Sequence, residues 1–383
     1  MKREILLLCE YPTLNGGERS MLATLPRLRT TGFSPTVMCP GDGPLAETLR
    51  GSAIETIPLE CRTADGARRP QSRLREELGR VIRARRHDLL HANSLAMGRL
   101  SGPVAAELRM PSIAHLRDIV TLSARAVADL NGHTRLLAVS NSVRNFHLAQ
   151  GLAAEKTHVL YNGVDLQDFR PRPATGWLHR QLGIPDDSML IGTIGQLGLR
   201  KGQDVLLRAA QSLADRLPQV HYVLIGERHS NKDESRQYEQ QLHAAAEGAL
   251  TGRVHFLGHR DDVPRLLSEL TLLVHPARQE PLGRVLLEAA AAGLAVIATN
   301  VGGTPEIFPP GENAARLVPA GNADALAEAI LSLAGDAVAR NLLGTAARRR
   351  AERYFNIQTA VDGLAQHYRA VIQEFKPGAT AVC

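Results

Sequence analysis

Short apolar runs alternate with amphipathic stretches along the whole chain, and the alternation restarts once. The first half opens with the apolar run Ile5–Cys9, a glycine-containing turn, and a stretch from Glu18 with apolar residues at helical spacing. The second half restarts with the run Met189–Ile194. Strands alternating with helices are typical of parallel sheets covered by helices. The pattern predicts an α/β fold of two doubly wound, Rossmann-like domains facing a cleft, with ligand sites in the turns that follow strands.

Each half contains further apolar runs of strand length. We expect strands near Thr36–Cys39, Leu89–Ala92, Ser112–His115, Leu136–Val139, Tyr222–Ile225, Val254–Leu257, Leu272–Val274 and Leu294–Ala298.

Turn signals and prolines place the join between the halves. Asn162–Asp165 is a turn signal, and Pro171 and Pro173 interrupt any regular element after it. We therefore predict a first domain over 1–165, a linker over 166–185 and a second domain over 186–357. The chain closes with an arginine-rich helical tail, about Ala323 to Phe375. The residues 358–383 are predicted as a C-terminal helix that could pack back on the first domain.

Composition is that of a globular protein. The 383 residues are 44% hydrophobic and 22% charged, which suits two domains and excludes a disordered or fibrous chain. No apolar run reaches the roughly 18–20 residues of a membrane span, and the start lacks the features of a signal peptide. The cysteines show neither metal-site nor disulfide spacing (Cys9, Cys39, Cys61 and Cys383). We expect a cytoplasmic protein.

Positive charge is concentrated in the first domain. The net charge is +6, all of it in residues 1–165, and nine arginines lie between Arg62 and Arg86. A solvated loop and helix face explains such a segment. It would also suit contact with an anionic membrane, peripheral at its inner face, or an acidic acceptor. Nucleic acid is not expected, because aromatic residues are only 4% and no binding module is recognisable.

Two familiar phosphate-binding motifs are absent. No Gly-Lys dipeptide occurs, so there is no Walker loop, and Gly192, Gly195 and Gly198 do not match the dinucleotide fingerprint. Glycines nevertheless follow the first strand of each half. Gly16 and Gly17 come at a helix start, where backbone amides can approach a diphosphate. Such a pair can equally be a plain tight turn.

The corresponding loop of the second half carries cations. Arg200 and Lys201 follow a strand and precede a helix, where they could neutralise a leaving diphosphate. A surface pair of cations at a turn is the alternative.

The stretch from His275 to Gly293 is the most informative. A strand ends there in a polar loop, and Pro281 and Gly283 open a helix whose first amides, from Leu282 to Arg284, would be free to hold a ligand. Glu288 interrupts an otherwise apolar helix. A buried carboxylate needs partners, and two ribose hydroxyls would supply them. A salt bridge is the alternative, although the sequence points to no basic partner.

Two glutamates eight positions apart, Glu280 and Glu288, with Pro-Leu-Gly after the first and an alanine-rich helix after the second, resemble the family 4 retaining glycosyltransferases, whose fold is GT-B. The resemblance covers nearly the whole chain. Other matching segments are Gly16–Glu18, Ala138–Ser140, Leu160–Asp165, Gly195–Gly202 and Gly302–Glu306.

The resemblance implies roles for individual residues. Lys201 would contact the donor's diphosphate, Glu280 would lie beside the transferred sugar, and Glu288 would bind the ribose. The full implied donor-binding set is Gly16, Gly17, Gln196, Arg200, Lys201, Glu280, Leu282, Gly283 and Glu288.

His115, Lys201 and Glu280 are the implied catalytic residues, His115 being similar to the family's histidine near the anomeric centre. A core or surface histidine is the alternative for His115. Asn15, Arg117 and Asp118 are the implied acceptor-side residues. The resemblance implies no metal and no cofactor apart from the donor substrate, with UDP or GDP favoured over ADP.

One position departs from the family pattern. Arg is common where this chain has Gln196, and the missing charge could be replaced by Arg200 or Arg284. Ala277 stands where a serine is frequent.

The resemblance implies a retaining, metal-independent hexosyltransferase that moves a sugar from a nucleoside diphosphate to a hydroxyl of a glycan, a lipid-linked acceptor or a small glycoside. A nucleotide-sugar epimerase, a sugar phosphorylase and a catalytically silent nucleotide-sugar-binding protein stay open as alternatives.

Overall fold

The computed structural model describes residues 2–375, which form two compact units. Unit 1 comprises the residues up to 163 together with those from 357 onward, and unit 2 comprises 164–356. Cys383 lies outside the described residues. Cys9, Cys39 and Cys61 are buried free thiols.

Unit 1 is built on seven parallel strands in the order β3-β2-β1-β4-β5-β6-β7. The strands are β1 (Arg3–Leu8), β2 (Phe33–Cys39), β3 (Glu55–Pro58), β4 (Leu89–Ala92), β5 (Ser112–Leu116), β6 (Arg135–Ala138) and β7 (Thr157–Val159). The first six helices are α1 (Gly16–Leu28), α2 (Pro44–Gly51), α3 (Gln71–Ala84), α4 (Leu95–Glu107), α5 (Ala124–Asn131) and α6 (Asn141–Leu148). The inner strands are buried on both faces, which is why β1 reads as a continuous apolar run.

Unit 2 has six parallel strands in the order β10-β9-β8-β11-β12-β13. They are β8 (Met189–Ile194), β9 (Val220–Ile225), β10 (Val254–Phe256), β11 (Leu272–His275), β12 (Val296–Thr299) and β13 (Arg316–Val318). Its helices are α7 (Trp177–Leu182), α8 (Gln203–Ser212), α9 (Asp233–Ala245), α10 (Val263–Glu269), α11 (Arg284–Ala291), α12 (Thr304–Ile307), α13 (Ala323–Ala334) and α14 (Ala337–Tyr354). A one-turn 3₁₀ helix, Leu199–Lys201, follows β8.

Three strands have no counterpart in the apolar pattern: β3, β7 and β13. Each lies at the edge of its sheet and is only three or four residues long. Edge strands are partly exposed, so they carry no apolar run by which the sequence could mark them.

The C-terminal helical tail consists of three helices rather than one. Asp336 separates α13 from α14 by accepting a hydrogen bond from the Ala339 amide, 2.8 Å away, as an N-cap. The last helix, α15 (Ile357–Glu374), belongs to unit 1 and packs against α1. Its residues Leu364, Tyr368 and Val371 join the hydrophobic core of that unit.

The stretch 166–185, interpreted above as a linker, contains α7 and is part of unit 2. Glu269 ties it there, because its carboxylate accepts hydrogen bonds from the Thr175 amide (2.9 Å) and hydroxyl (2.6 Å).

The arginines between Arg62 and Arg86 lie on α3 and on the segments before and after it. Arg62, before the helix, donates to the Gly66 carbonyl at 2.7 Å and forms no ion pair among the described residues. Six of the others form ion pairs, mostly with carboxylates from distant parts of unit 1: Arg68 with Glu10, Arg69 with Glu77, Arg73 with Glu76, Arg75 with Asp129, Arg83 with Glu107, and Arg85 with Glu55. Within residues 2–375, Arg80 and Arg86 form no ion pair. Among the helices described, none is long and apolar enough to cross a membrane.

Candidate active site

A buried cluster of charged groups forms where the loops after β8 and β11 meet in unit 2. Lys201 Nζ lies 2.5 Å from Glu280 Oε2, and His275 Nε2 lies 2.8 Å from the same oxygen. Lys201 comes from the loop after β8, whereas His275 ends β11 and Glu280 follows it. The parallel order of the sheet places the ends of these two adjacent strands side by side.

Glu280 is ionised in this cluster. Burial opposes ionisation, but the Lys201 charge and the hydrogen bond from His275 outweigh it and hold the pKa of Glu280 well below its usual range. Burial lowers the pKa of His275 despite its hydrogen bond to the carboxylate, so the imidazole is neutral and donates from Nε2. Glu280 therefore acts as a hydrogen-bond acceptor and carries no proton to give to a ligand.

Glycine turns hold the Glu280 loop in place. The Gly303 amide donates to the Glu280 carbonyl at 3.0 Å, and a Cβ on Gly302 would lie 1.9 Å from that oxygen. A Cβ on Gly202 would likewise lie 2.0 Å from the Pro276 carbonyl oxygen. Both glycines have positive φ, so these close backbone approaches are open to glycine alone.

The loop carrying Lys201 is fixed by Arg278. Its guanidinium forms two hydrogen bonds with Asp204, of 2.7 and 2.6 Å, and a third with the Leu199 carbonyl at 2.8 Å. Arg200, on the same loop, is exposed and donates to the Gln279 carbonyl at 3.4 Å. In the part of the chain that the structure describes, Arg200 has no carboxylate partner, so its charge is uncommitted. The Gln196 side chain is exposed nearby in sequence.

The start of α11 presents free amides, as the sequence predicts. Gly283 has φ +105°, and no acceptor for the amides of Leu282 and Gly283 exists among the described residues. Gly293, with φ +70°, follows the helix end.

Glu288 is buried, as expected, and the salt bridge given above as the alternative is present. Arg284, one helical turn earlier, places Nε 2.6 Å from Glu288 Oε1. The pair satisfies one carboxylate oxygen without a ligand. Arg284 Nη1 is buried and has no hydrogen-bond partner among the described residues, so the pair still offers a donor.

In unit 1, His115 and Arg117 belong to a second buried cluster, at the end of β5. Arg117 donates to the Asn93 carbonyl and side-chain oxygens, both at 2.9 Å, and to Asn162 Oδ1 at 3.0 Å. His115 Nδ1 lies 2.9 Å from His91 Nε2 and 3.3 Å from Arg117 Nη2. These side chains line a small cavity of about 30 Å³.

The two glycines that begin α1 differ in surroundings. A Cβ on Gly17 would lie 3.3 Å from Arg117 Cδ, whereas nothing lies within 4 Å of one on Gly16. Gly17 thus leaves room for Arg117. The Asn15 side chain donates to Thr13 Oγ1 at 3.0 Å, and Asp118 is exposed; within residues 2–375 neither side chain hydrogen-bonds to Arg117.

Four residues of the two clusters have no place in the sequence-based assignment: His91, Asn93, Tyr368 and His275. His91 and His275 were open to inspection as polar residues at the ends of apolar strands. Tyr368 was not, since it reaches the cluster from α15, far along the chain. Among the described residues there is no group of three or more His, Cys, Asp or Glu side chains that could hold a metal ion.

Comparisons with known proteins place this chain in a family. The family model described as "Glycosyl transferases group 1" matches residues 177–350, and "Glycosyltransferase Family 4" matches residues 14–168. The Anabaena protein Alr3699/HepE, solved in complex with UDP-glucose, is 25% identical, with a TM-score of 0.83, over 96% of this chain and 99% of that chain.

Two sequence relatives have curated names. The chain is 25% identical, over 93% of its length and 94% of the relative's, to the UDP-Gal:alpha-D-GlcNAc-diphosphoundecaprenol alpha-1,3-galactosyltransferase of Escherichia coli. It is 32% identical to spore coat protein SA of Bacillus subtilis (strain 168), over 56% of its own length and 59% of that protein's.

Two parallel sheets with this architecture, and these matches, define a glycosyltransferase of GT-B fold. The chain belongs to the family 4 glycosyltransferases.

Proposed function

We propose that this protein is a retaining hexosyltransferase that moves a sugar from a nucleoside diphosphate to an acceptor hydroxyl. The observation that carries the proposal is the Lys201–Glu280–His275 cluster, a buried ionised carboxylate held at the carboxyl ends of adjacent strands. An acceptor of fixed charge beside a basic loop and free helix-start amides suits a ligand that combines sugar hydroxyls with phosphates.

In this proposal the donor is held by residues of unit 2. Lys201 and Arg200 neutralise the diphosphate, and the amides of Leu282 and Gly283 donate to its oxygens or to sugar hydroxyls. Glu280 accepts hydrogen bonds from the transferred sugar. Glu288 accepts from the ribose hydroxyls through its remaining lone pairs, while Arg284 occupies its Oε1. Gly16 and Gly17, in unit 1, contribute contacts to the phosphates.

Barrier lowering would come mainly from charge stabilisation. When the bond from the anomeric carbon to the diphosphate breaks, negative charge grows on the leaving oxygens, where Lys201, Arg200 and the helix-start amides are already oriented. We propose that these groups suffice without a metal ion. The acceptor hydroxyl attacks from the face that the diphosphate leaves, and a phosphate oxygen takes its proton, which gives retention.

The donor is proposed to be a UDP-sugar. The Anabaena relative was solved with UDP-glucose, and the E. coli relative is named as using UDP-Gal on a diphosphoundecaprenol-linked sugar. A lipid-linked acceptor is therefore the first class to try, with His115 beside the sugar and with Asn15, Arg117 and Asp118 on the acceptor side. Arg80 and Arg86, two of the three arginines of the basic segment without an ion pair among the described residues, are the part proposed to contact an anionic membrane; the third, Arg62, donates to the Gly66 carbonyl. Co-sedimentation of an Arg80→Gln/Arg86→Gln variant with anionic vesicles tests that contact.

Thermal shift and product analysis test the proposal. UDP, GDP and ADP, alone and as sugar conjugates, are compared for the rise in melting temperature, and products are analysed with and without acceptor by mass spectrometry. We expect a UDP-sugar to stabilise the protein and sugar transfer to require acceptor. Epimerised donor without acceptor, or sugar phosphate formed from added phosphate, would instead identify an epimerase or a phosphorylase.

Glu280→Gln separates a catalytic site from a silent binding site. We expect turnover to fall by roughly 10²–10³-fold while UDP still binds. Glu269→Gln is the matched control, since Glu269 is a buried carboxylate held by Thr175 elsewhere in unit 2. Unchanged turnover in Glu280→Gln would refute the assignment.

A further inference from the structure

A chain of hydrogen bonds reaches the cavity of unit 1 from its buried side. Tyr368 Oη lies 2.5 Å from His91 Nδ1, and His91 Nε2 lies 2.9 Å from His115 Nδ1. Tyr368 comes from α15 and is fully buried, while His91 and His115 stand on the adjacent strands β4 and β5. The proposed function uses His115 alone, so Tyr368 and His91 lack a role in it.

Arg117 determines which atom donates and which accepts in these hydrogen bonds. Its Nη2 donates to Asn93 Oδ1 and lies 3.3 Å from His115 Nδ1. A guanidinium can only donate hydrogen bonds, so His115 Nδ1 must accept. The hydrogen between the two imidazoles therefore belongs to His91 Nε2. A neutral His91 then has a bare Nδ1, which accepts from the Tyr368 hydroxyl.

The opposite direction is unfavourable for a simple reason. It would place a hydrogen on His115 Nδ1, against an N–H of Arg117, and two buried donors would face each other. Arg117 has no freedom to move aside, since Asn93 and Asn162 hold its other nitrogens.

The protonation states agree with this geometry. Burial lowers the pKa of His91 to about 3, and burial, reinforced by the Arg117 charge, places the pKa of His115 well below its ordinary value. Burial raises the pKa of Tyr368. Both imidazoles are neutral near pH 7, and the phenol keeps its proton.

We propose that Tyr368 and His91 are positioning residues that hold His115 in the tautomer with its hydrogen on Nε2. That nitrogen has no protein partner among the described residues, and the His115 ring lines the cavity. His115 thus offers the ligand an N–H and has no lone pair there. It donates a hydrogen bond to a sugar or phosphate oxygen and is not the base that takes a proton from the acceptor hydroxyl.

The identity of the ligand oxygen rests on the proposed function, whereas the tautomer does not. The tautomer is measured on the full chain without substrate, with ¹⁵N-labelled histidine and ring ¹⁵N–¹H correlation spectra. His115→Gln identifies the His115 signals by their loss. We expect a bare Nδ1 and a protonated Nε2, unchanged between pH 6 and 8. A hydrogen on Nδ1, or a mixture of tautomers, would overturn the proposal.

Tyr368→Phe tests the relay itself, because it removes the hydroxyl and keeps the ring. With the hydroxyl gone, only the 3.3 Å contact with Arg117 still opposes the other tautomer of His115. We therefore expect signals of the minor tautomer to appear for His91 and His115, and kcat to fall roughly tenfold with little change in KM for the donor. Tyr222→Phe, at a buried tyrosine in the core of unit 2, is the matched control and should change neither. An unchanged His115 spectrum in Tyr368→Phe would contradict the relay.

The two proposals fail separately. If His115 has the expected tautomer but the protein turns over no nucleotide sugar, the proposed function is refuted and the relay is not. Sugar transfer by a protein whose His115 carries its hydrogen on Nδ1 would do the reverse. If Tyr368→Phe does not fold, the spectrum of the unmodified protein still decides.

Discussion

The two units differ in how they stabilise charged groups in their buried clusters. In unit 2 a carboxylate is buried beside a lysine, so charge is retained and balanced within 2.5 Å. In unit 1 the half-buried cation Arg117 forms no ion pair among the described residues. It donates to neutral oxygens and lies beside imidazoles that stay neutral, while the charge of Glu18 acts on it only from beyond ion-pair distance. Ion pairing can keep a group ionised against burial, whereas burial beside a cation without a paired carboxylate drives a histidine to neutrality. The first arrangement suits charge stabilisation, and the second suits a fixed hydrogen-bond donor.

The largest difference we expect between the two units is in stability at low pH, where unit 1 should lose more than unit 2. A histidine whose folded pKa lies below its unfolded value of about 6.5 contributes full stability above pH 6.5 and loses it as pH falls toward the folded pKa. The pKa values of His91 and His133 are about 3 and about 4. The contribution of each residue to the free energy of unfolding of unit 1 should therefore be about 2 kcal/mol smaller at pH 5 than at pH 7. Unit 2 should lose less at this pH. The contribution of Glu280 is lost only below about pH 4.5, and among the described residues unit 2 has three histidines with lowered pKa against seven in unit 1.

Hydrogen exchange measures this difference. After correction for intrinsic rates, we expect amides of unit 1 to lose more protection than those of unit 2 between pH 7 and 5. Equal losses in both units would contradict the assignment of neutral buried histidines to unit 1.

Lys201→Met should show that the stability of unit 2 depends on the ion pair between Lys201 and Glu280. It leaves Glu280 buried with only neutral His275 as partner, so we expect a loss of about 3 kcal/mol in the free energy of unfolding by urea. Lys201→Met/Glu280→Gln should recover much of that loss, since no unpaired charge remains. A double variant as unstable as the sum of the single variants would show that the ion pair has no such role.

Gly17→Ala should disturb the unit 1 cluster more mildly. The new methyl group would press on Arg117, which Asn93 and Asn162 hold in place, and we expect a loss of about 1 kcal/mol in stability. Gly16→Ala meets open space and should leave the ligand-free fold unchanged. Loss of UDP affinity in Gly16→Ala, with unchanged melting temperature, would then indicate a ligand contact.

Gln196→Arg should have the smallest effect, and a favourable one. The added cation near Arg200 should tighten UDP binding by about 1 kcal/mol, and the gain should shrink as salt is raised. Calorimetry at low and high salt checks this, with Gln196→Lys as a second variant. A gain independent of salt would mean that the side chain acts by packing.

The site was only partly predictable from the sequence. Glu280, Lys201 and the free amides at Leu282 and Gly283 stood out because they follow strands or open a helix. The pairing of Glu288 with Arg284 was also within reach, since the two lie four positions apart on one helix. The 3₁₀ turn that presents Lys201 could not be predicted. It is held by the contact between Arg278 and Asp204, which lie 74 residues apart in the sequence.

The order of apolar runs alone determined two parallel α/β sheets, because a strand buried on both faces must be apolar along its length. The glycine, proline and glutamate spacing of the second half likewise indicated the family. Only the tertiary structure decided which charges survive burial. The histidine side chain is neutral at both His275 and His115, but it donates to a carboxylate at the first and accepts from a guanidinium at the second. That outcome depends on partners that are distant in sequence. Chain topology brings Lys201 to Glu280 across 79 residues and Tyr368 to His91 across 277.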